Sequence, residues 1–191
     1  MNVRRGLLVV ISGPSGVGKD TIIQRLLELD PNLKYSVSCT TRAPRPGEVD
    51  GVNYSFVSRE RFEELLAQGH FLEHASYDGN LYGTPAAPVE AARAAAQDIV
   101  LKIEVQGALQ VRKRAPDAIF IFIAPPTNEE LARRQELRSS ETRQDMTERR
   151  RIAEKEMTYA RDYDHVVVND DLDRAVAEVL AIIRRARERQ T

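Results

Sequence analysis

Four short and mostly apolar runs divide the chain, and a segment with a helical spacing of apolar positions follows each of them. The runs are Leu7–Ile11, Ile99–Ile103, Ile119–Ile123 and Val166–Val168. Continuous apolarity, rather than apolarity at every second position, is typical of parallel strands that helices cover on both faces. We therefore predict that these runs are buried strands of one parallel sheet.

The helical segments after these runs are Thr21–Leu29, Val105–Arg114, Glu129–Arg138 and Leu172–Arg187. Asn128 is a predicted N-cap, and the polar stretch Asn169–Asp171 can cap the last helix, because short polar side chains accept hydrogen bonds from free N–H groups. The alternation of strands and helices predicts βαβ units. The expected fold class is therefore α/β, with a central parallel sheet flanked by helices.

Two stretches depart from this alternation. Residues 40–84 are rich in turn residues and contain predicted strands at Tyr54–Val57 and Phe71–Tyr77, a hairpin turn at Asp78–Asn80 and a helix at Arg61–Gln68 capped by Ser58. The second stretch, Leu137–Asp145, is polar and has no apolar period. We predict a small separate sheet for the first stretch and a mobile loop between arginine-rich helices for the second.

Composition narrows the class of protein. The chain has 191 residues, of which 42% are hydrophobic and 30% charged, with a net charge of −1. This length suits one α/β domain, and the balanced charge gives no reason to expect a nucleic-acid or membrane partner. Cys39 is the single cysteine, which excludes a disulfide framework and fits a reducing compartment. No apolar run approaches the ~20 residues of a membrane span, so we expect a cytoplasmic protein.

The segment "GPSGVGKDT", from Gly13 to Thr21, nearly matches the phosphate-binding pattern G-x-x-x-x-G-K-[ST]. It lies between a predicted strand and a predicted helix. In that context glycines let backbone N–H groups approach phosphates, while Lys19 adds a positive charge. A glycine-rich turn without a ligand is the alternative, which this context disfavours.

Asp20 departs from the pattern, since a serine or threonine hydroxyl usually binds Mg²⁺ at this position. The carboxylate either caps the following helix or replaces the hydroxyl as an oxygen ligand of Mg²⁺. In the second case it would repel the phosphates by ~4 kcal/mol at ~4 Å, if the effective dielectric constant is near 20. A metal ligand at this position therefore requires a compensating cation nearby.

A second candidate site follows in "SVSCTTRAPRPGEVDGVNY", from Ser36 to Tyr54. Arg42 and Arg45 lie three positions apart in a loop that prolines stiffen, and two guanidinium groups on a stiff loop suit a terminal phosphate. Taken alone, these arginines could equally be a solvated surface pair.

The chain resembles the guanylate kinases over essentially its whole length. The resemblance rests on "SGPSGVGK", the arginine-bearing segment quoted above, "FLEHASYDGNLYGT", "EVQGALQV", "FIAPP" and "VVVNDD", in this order and spacing. It implies transfer of the γ-phosphoryl group from ATP to GMP, with Mg²⁺ as cofactor and small molecules as partners. It also implies a P-loop NTPase core of residues 1–36, 97–126 and 158–191, a small α+β GMP-binding insert at about 37–96, and an arginine-rich lid at about 127–157.

The resemblance also implies roles for individual residues. The ATP-binding residues would be Gly13, Pro14, Ser15, Gly16, Val17, Gly18, Lys19, Asp20, Thr21, Arg134 and Asn169. The GMP-binding residues would be Ser38, Arg42, Arg45, Tyr54, Glu73, Tyr82, Thr84 and Glu104, and the catalytic residues Lys19, Arg42, Arg138 and Arg149. Guanine chemistry fits Glu73, because guanine offers N1–H and N2–H₂ as adjacent donors, and the hydroxyls of Ser38 and Thr84 can donate to O6.

The chain departs from the family at two further places. Lys102 stands where the family often has an acid, so it reverses a charge while Asp20 adds one of opposite sign. We hypothesise that the two residues compensate each other and that Asp20 is the metal ligand. The family usually has glycines beside the central lid arginine, whereas Arg138 is flanked by Leu137 and Ser139.

Other interpretations remain to be tested. "HFLEH", from His70 to His74, matches a zinc motif, H-x-x-E-H, that requires a helix. A strand would place the two histidines ~13 Å apart, and we favour the strand. Two other functions are open: a kinase for another phosphorylated acceptor such as a ribose bisphosphate, and a non-catalytic module that binds phosphopeptides. The intact glycines and Lys19 argue against the binding module.

Overall fold

A computed structural model describes residues 4–77, 79–136 and 151–190. Along the chain the elements are β1 (Leu8–Ser12), α1 (Lys19–Leu29), β2 (Leu33–Tyr35), β3 (Cys39–Thr40), β4 (Ser55–Phe56), α2 (Arg59–Ala67), β5 (Phe71–Tyr77), β6 (Asn80–Pro85), α3 (Ala86–Ala94), β7 (Asp98–Lys102), α4 (Val105–Arg114), β8 (Ile119–Ala124), α5 (Asn128–Glu136), α6 (described over 151–157), a 3₁₀ turn (Ala160–Asp162), β9 (His165–Val168) and α7 (Leu172–Glu188).

The larger sheet has five parallel strands in the order β2-β7-β1-β8-β9. The predicted apolar runs supply four of these strands, so the predicted α/β fold with a central parallel sheet is confirmed. The sequence pattern missed β2, which is only three residues long. Strand β1 is central, and its five residues are buried.

Successive residues of β1 point to opposite faces of the sheet and belong to two separate hydrophobic cores. Val9 and Ile11 pack in the core that also contains the buried residues of α1 and α7. Leu8 and Val10 pack in the core that contains Val89 of α3 and residues of α4. Because helices cover both faces, the strand has no solvent-facing side, which explains why residues 8–11 are all apolar before the strand ends at the buried Ser12.

The helix starts agree with the predicted caps in two cases and differ in one. Ser58 and Asp171 each cap their helix by accepting a backbone hydrogen bond with the side chain, as predicted. The prediction for α5 was wrong by one residue. The Thr127 hydroxyl accepts from the backbone N–H of Glu130 at 3.1 Å, so Asn128 is the first helical residue.

The smaller sheet has the order β4-β3-β6-β5 and is built from the predicted separate sheet of residues 40–84. Strands β5 and β6 form an antiparallel hairpin, and Gly79 adopts a positive φ of 71° at its turn, while Asp78 lies outside the described residues. A small core of Cys39, Phe62 and Phe71 packs beneath it. The sequence pattern missed α3, which connects this sheet back to β7.

Within the described residues, no helix is both long enough and apolar enough to cross a membrane. The predicted mobile loop Leu137–Asp145, and with it Arg138 and Ser139, lies outside the described residues, as does Arg149.

Candidate active site

The phosphate loop connects the end of β1 to the start of α1, as the sequence predicts. Gly13, Gly16 and Gly18 have φ values of 145°, 87° and 100°, which glycine adopts without strain. A side chain at Gly13 would place Cβ 2.2 Å from the Ile123 carbonyl oxygen, and one at Gly18 would lie 2.5 Å from Asn169 Nδ2. These glycines are therefore required both for the turn and for its close packing.

Side chains bind the carbonyl groups of the loop from several directions. Asn169 donates to the Val17 carbonyl at 2.8 Å, and Gln135 donates to the Ser15 carbonyl at 2.8 Å. Lys19 donates to the carbonyls of Gly13 and Pro14 at 2.5 and 3.0 Å. Among the described residues, the N–H groups of Gly16 and Gly18 have no acceptor. The loop therefore keeps N–H donors for an anion while its carbonyls are bonded elsewhere.

Charged groups surround Lys19. Burial lowers the pKa of Lys19, and the carboxylates of Glu156, Asp20 and Glu104 oppose this effect. Burial raises the pKa of Glu156 to about 7, with Lys19 lowering it and Glu104 raising it. Sequence reasoning missed both Glu156, on α6, and Gln135, on α5. No local motif marks either residue, because Gln135 donates to the Ser15 carbonyl and Glu156 interacts electrostatically with Lys19, both far away in the chain.

Asp20 and Lys102 form an ion pair between Asp20 Oδ1 and Lys102 Nζ. Lys102 ends β7, which pairs in parallel with β1, so the carboxyl end of β7 lies beside the phosphate loop. The ammonium also lies 5.4 Å from the centre of the Tyr54 ring. The structure thus pairs the two charges, as the compensation hypothesis requires, whereas metal binding by Asp20 stays a prediction.

Thr21 lies in the first turn of α1 and is exposed, as is Ser15 in the loop. Arg134 of α5 donates to the Asn169 carbonyl at 3.1 Å and pairs with Glu130 at 2.7 Å. The structure thus brings Arg134 and Asn169, two predicted ATP-binding residues, together beside the loop.

The predicted phosphate-binding arginines lie on the loop that follows β3. Arg42 donates to both oxygens of Glu48, at 2.8 and 3.0 Å, and Glu48 also accepts from the Arg45 backbone N–H at 2.7 Å. The Arg42 guanidinium lies 5.5 Å from the centre of the Tyr54 ring, and the rings of Tyr54 and Tyr82 are 6.0 Å apart. Glu48 therefore orients Arg42 toward the two tyrosines. The Arg45 side chain is exposed and has no ion pair among the described residues.

The predicted base-reading residues meet in a buried cluster. Glu73 is only 4% exposed and accepts a hydrogen bond from the Thr84 hydroxyl at 2.6 Å. A side chain at Gly107, in the first turn of α4, would place Cβ 2.4 Å from Glu73 Oε2. Burial raises the pKa of Glu73 to about 7, against the hydrogen bonds from Thr84, and Glu104 adds to the increase. Gly107 is thus a further residue of this cluster that the sequence did not single out.

Ser38 and Glu104 complete the predicted set. Cys39 pairs with Gly83 in the β3–β6 ladder, so continuing the register places Ser38 opposite Thr84. Glu104 is the N-cap of α4 and is exposed, yet the protein around it removes enough water to raise its pKa, while Lys19 lowers it. Because a hydroxyl has one proton, Thr84 cannot donate to guanine O6 while it donates to Glu73.

The zinc interpretation of "HFLEH" is wrong. The segment Phe71–Tyr77 is strand β5, in which His74 is exposed, so His70 and His74 do not share a helix face. Among the described residues no cluster of three or more histidines, cysteines or acids could hold a metal ion.

The chain is similar to known proteins over nearly its whole length. The family model for guanylate kinase matches residues 5–186. A guanylate kinase from Rubrobacter xylanophilus is 52% identical over 184 residues, which cover 96% of each chain. One from Desulfitobacterium hafniense is 48% identical over 183 residues, which cover 96% of this chain and 92% of that protein.

Solved structures give the same result. The crystal structure of a guanylate kinase from Anaplasma phagocytophilum aligns with a TM-score of 0.81 and 35% identity, over 97% of this chain and 88% of that one. A gluconokinase from Sinorhizobium meliloti shares only the fold, with a TM-score of 0.53 and 17% identity, over 97% and 95% of the two chains. The chain belongs to the guanylate kinase family.

Proposed function

We propose that the protein transfers the γ-phosphoryl group of ATP to GMP and gives ADP and GDP. Membership of the guanylate kinase family supports this ATP-dependent nucleoside monophosphate kinase activity. The observation in the molecule that carries the proposal is the buried Glu73 carboxylate, bonded to Thr84 and packed on Gly107. Among the described residues Glu73 forms no ion pair. A buried acid of this kind is costly, and a guanine base offers the donors that would offset the cost.

Selection of guanine follows from the acceptor character of Glu73. The ionised carboxylate accepts the adjacent N1–H and N2–H₂ donors of guanine, whereas adenine has no such pair of donors. Against adenine the buried carboxylate would lose water without gaining hydrogen bonds. Sites of this type discriminate by factors of roughly 10⁴ to 10⁵ when the polar partner is missing.

Phosphoryl transfer requires positioning and charge neutralisation more than covalent chemistry. Lys19 and the free N–H groups of the loop hold the ATP phosphates, while Arg42 and Arg45, with the hydroxyls of Tyr54 and Tyr82, hold the acceptor phosphate. No general base is needed, because the attacking phosphate oxygen is already an anion. Arg134, Arg138 and Arg149 neutralise the charge that develops during transfer.

Mg²⁺ is the proposed cofactor and would supply positive charge to the ATP phosphates. The residues fit this ion, because the Asp20 side chain is 69% exposed and a carboxylate is a hard oxygen ligand. Mg²⁺ is usually held by one or two carboxylates and by the phosphates of the substrate, so the single carboxylate of Asp20 suits it.

We also propose a domain organisation of core, insert and lid. Residues 1–36, 97–126 and 158–191 form the core, residues from about 37 to 96 form the GMP-binding insert, and residues from about 127 to 157 form the lid. The separate smaller sheet supports the insert, and the contacts of Gln135 and Arg134 with the phosphate-loop region support a lid that begins at α5.

Release of ADP from Mg·ATP, measured with GMP, AMP and a ribose bisphosphate as acceptors, tests this function. We expect rapid release with GMP and far slower release with the other two. Release with the sugar phosphate but not with GMP would contradict the proposal. If none of the three acceptors causes release of ADP, the phosphopeptide-binding alternative would be supported instead.

A further inference from the structure

The ion pair of Lys102 and Asp20 connects the two halves of the site. Lys102 lies at the carboxyl end of β7, and Asp20 lies in the first turn of α1, directly after the phosphate-loop lysine. The Lys102 ammonium is also 5.4 Å from the centre of the Tyr54 ring, which stands on the acceptor side. One cation therefore touches the ATP side through Asp20 and approaches the GMP side through Tyr54.

The two partners differ in their exposure to solvent. The Lys102 side chain is 16% exposed, whereas the Asp20 side chain is 69% exposed. Only Oδ1 of Asp20 has a hydrogen-bond partner among the described residues, so Oδ2 stays open to solvent. Because most of the Asp20 side chain is exposed, its carboxylate can accept a new partner from solvent.

The surroundings of Lys102 point to a phosphate. Arg42, a proposed phosphate-binding residue, lies 5.5 Å from the same Tyr54 ring that Lys102 approaches at 5.4 Å. The lysine carries its ammonium on four flexible methylene groups, so the side chain can rotate away from Asp20 and toward that ring. A lysine ammonium is a point charge that binds phosphate oxygens from several directions.

We propose that Lys102 is a further acceptor-phosphate residue, held by Asp20 in the free protein and released to the GMP phosphate when Asp20 binds the magnesium ion of Mg·ATP. The inference rests on the proposed function. It gives Asp20 two successive partners and makes binding at one substrate site favour binding at the other. Such coupling between sites typically changes an affinity about 5- to 150-fold.

Calorimetric binding of GMP tests the exchange without any turnover. GMP affinity is measured with no nucleotide, with ADP and EDTA, and with Mg·ADP. For the unmodified protein we expect Mg·ADP to raise GMP affinity about tenfold over ADP with EDTA. Lys102→Met should lose this gain, Lys102→Arg should keep most of it, and Lys34→Met, which changes an exposed lysine on β2, should leave it intact.

Asp20→Asn should raise GMP affinity in the absence of metal, whereas Lys102→Met should not. With its partner neutralised, Lys102 is free without metal, so GMP should bind about as tightly in EDTA as the unmodified protein binds it with Mg·ADP. The added Mg²⁺ should then give no further gain. A merely structural ion pair would instead weaken GMP binding, or leave it unchanged, when Asp20 is neutralised.

The outcomes separate the inference from the function on which it rests. A magnesium-dependent gain that survives in Lys102→Met would overturn the inference, and so would weaker GMP binding by Asp20→Asn in EDTA. If the unmodified protein binds no GMP under any of the three conditions, the proposed function itself fails. Circular dichroism of each variant identifies a loss of folding. If Lys102→Met does not fold, Lys102→Arg still tests whether a positive charge at this position keeps the magnesium-dependent gain.

Discussion

Replacing Glu73 by glutamine should stabilise the protein and at the same time weaken its binding of GMP. The carboxylate is 4% exposed, and burial raises its pKa from 4.5 to about 7. Glutamine keeps the shape and can still accept the Thr84 hydroxyl, but it carries no charge. The variant therefore separates the cost of burying the charge from the packing of the side chain.

The size and sign of the stability effect follow from this pKa. The native protein holds the Glu73 proton up to about pH 7, whereas the unfolded chain releases it near pH 4.5. The unmodified protein therefore loses stability as the pH rises from 4.5 to 7, by about 3 kcal/mol at 1.36 kcal/mol per pH unit. Below pH 4.5 the carboxyl group is protonated in both states and the penalty is absent.

Urea unfolding at pH 8 and at the lowest pH where the protein stays folded measures the effect. We expect Glu73→Gln to raise the free energy of unfolding at pH 8 by up to about 3 kcal/mol, with a difference that shrinks toward pH 5. Glu63→Gln, which neutralises an exposed glutamate of α2, serves as the control and should change stability little at either pH. Equal stability of Glu73→Gln and the unmodified protein at pH 8 would refute the reasoning.

The same variant should lose GMP affinity. The glutamine amide has an NH₂ donor where the carboxylate has an acceptor oxygen. This change should weaken the free energy of GMP binding by about 2 to 4 kcal/mol, or roughly 30- to 1,000-fold in affinity. For the unmodified protein, the ionised fraction of a group with a pKa of about 7 falls about tenfold from pH 8 to pH 6. The GMP affinity of the unmodified protein divided by that of Glu73→Gln should therefore also fall about tenfold from pH 8 to pH 6. Titration of the GMP phosphate does not change this ratio, because it affects both proteins alike.

Three further substitutions test other parts of the site. Gly107→Ala places Cβ 2.4 Å from Glu73 Oε2, so we expect weaker GMP binding with unchanged ATP binding in calorimetry; equal GMP affinity would show that the carboxylate can move aside. Asn169→Ala removes a 2.8 Å hydrogen bond to the loop and should cost about 1 to 3 kcal/mol of stability and raise the KM for ATP; an unaltered KM would contradict its bracing role. Glu48→Gln loosens Arg42 and should raise the KM for GMP several-fold, with the KM for ATP as internal control; a lower KM for GMP would show that Glu48 competes with the phosphate instead.

Local patterns in the sequence predict the central features of the fold. The runs Leu7–Ile11 and Ile119–Ile123 are apolar because helices cover both faces of the sheet, and the strand–loop–helix context of "GPSGVGKDT" places the phosphate loop. The three-residue strand β2 is too short for a period to be detected. The alanine-rich helix α3 has too few large apolar side chains to mark a buried face.

The site could be predicted only where charge or motif gave a signal. The opposite charges of Asp20 and Lys102 predict their pairing, although 82 positions separate them. Gln135 gives no such signal, because its contact with the Ser15 carbonyl depends on how α5 packs against the loop. The bond from Thr84 to Glu73 likewise depends on the β5–β6 register, and that register is set by pairing rather than by either residue alone.

Transfer of label from [γ-³²P]ATP tests the central claim most directly. The protein is incubated with labelled Mg·ATP and unlabelled GMP, and the products are separated by chromatography. We predict that the label appears in GDP in equal amount to the ADP formed, and that AMP in place of GMP receives almost none. Label in inorganic phosphate without labelled GDP, or equal labelling of ADP from AMP, would contradict a kinase that selects GMP through Glu73.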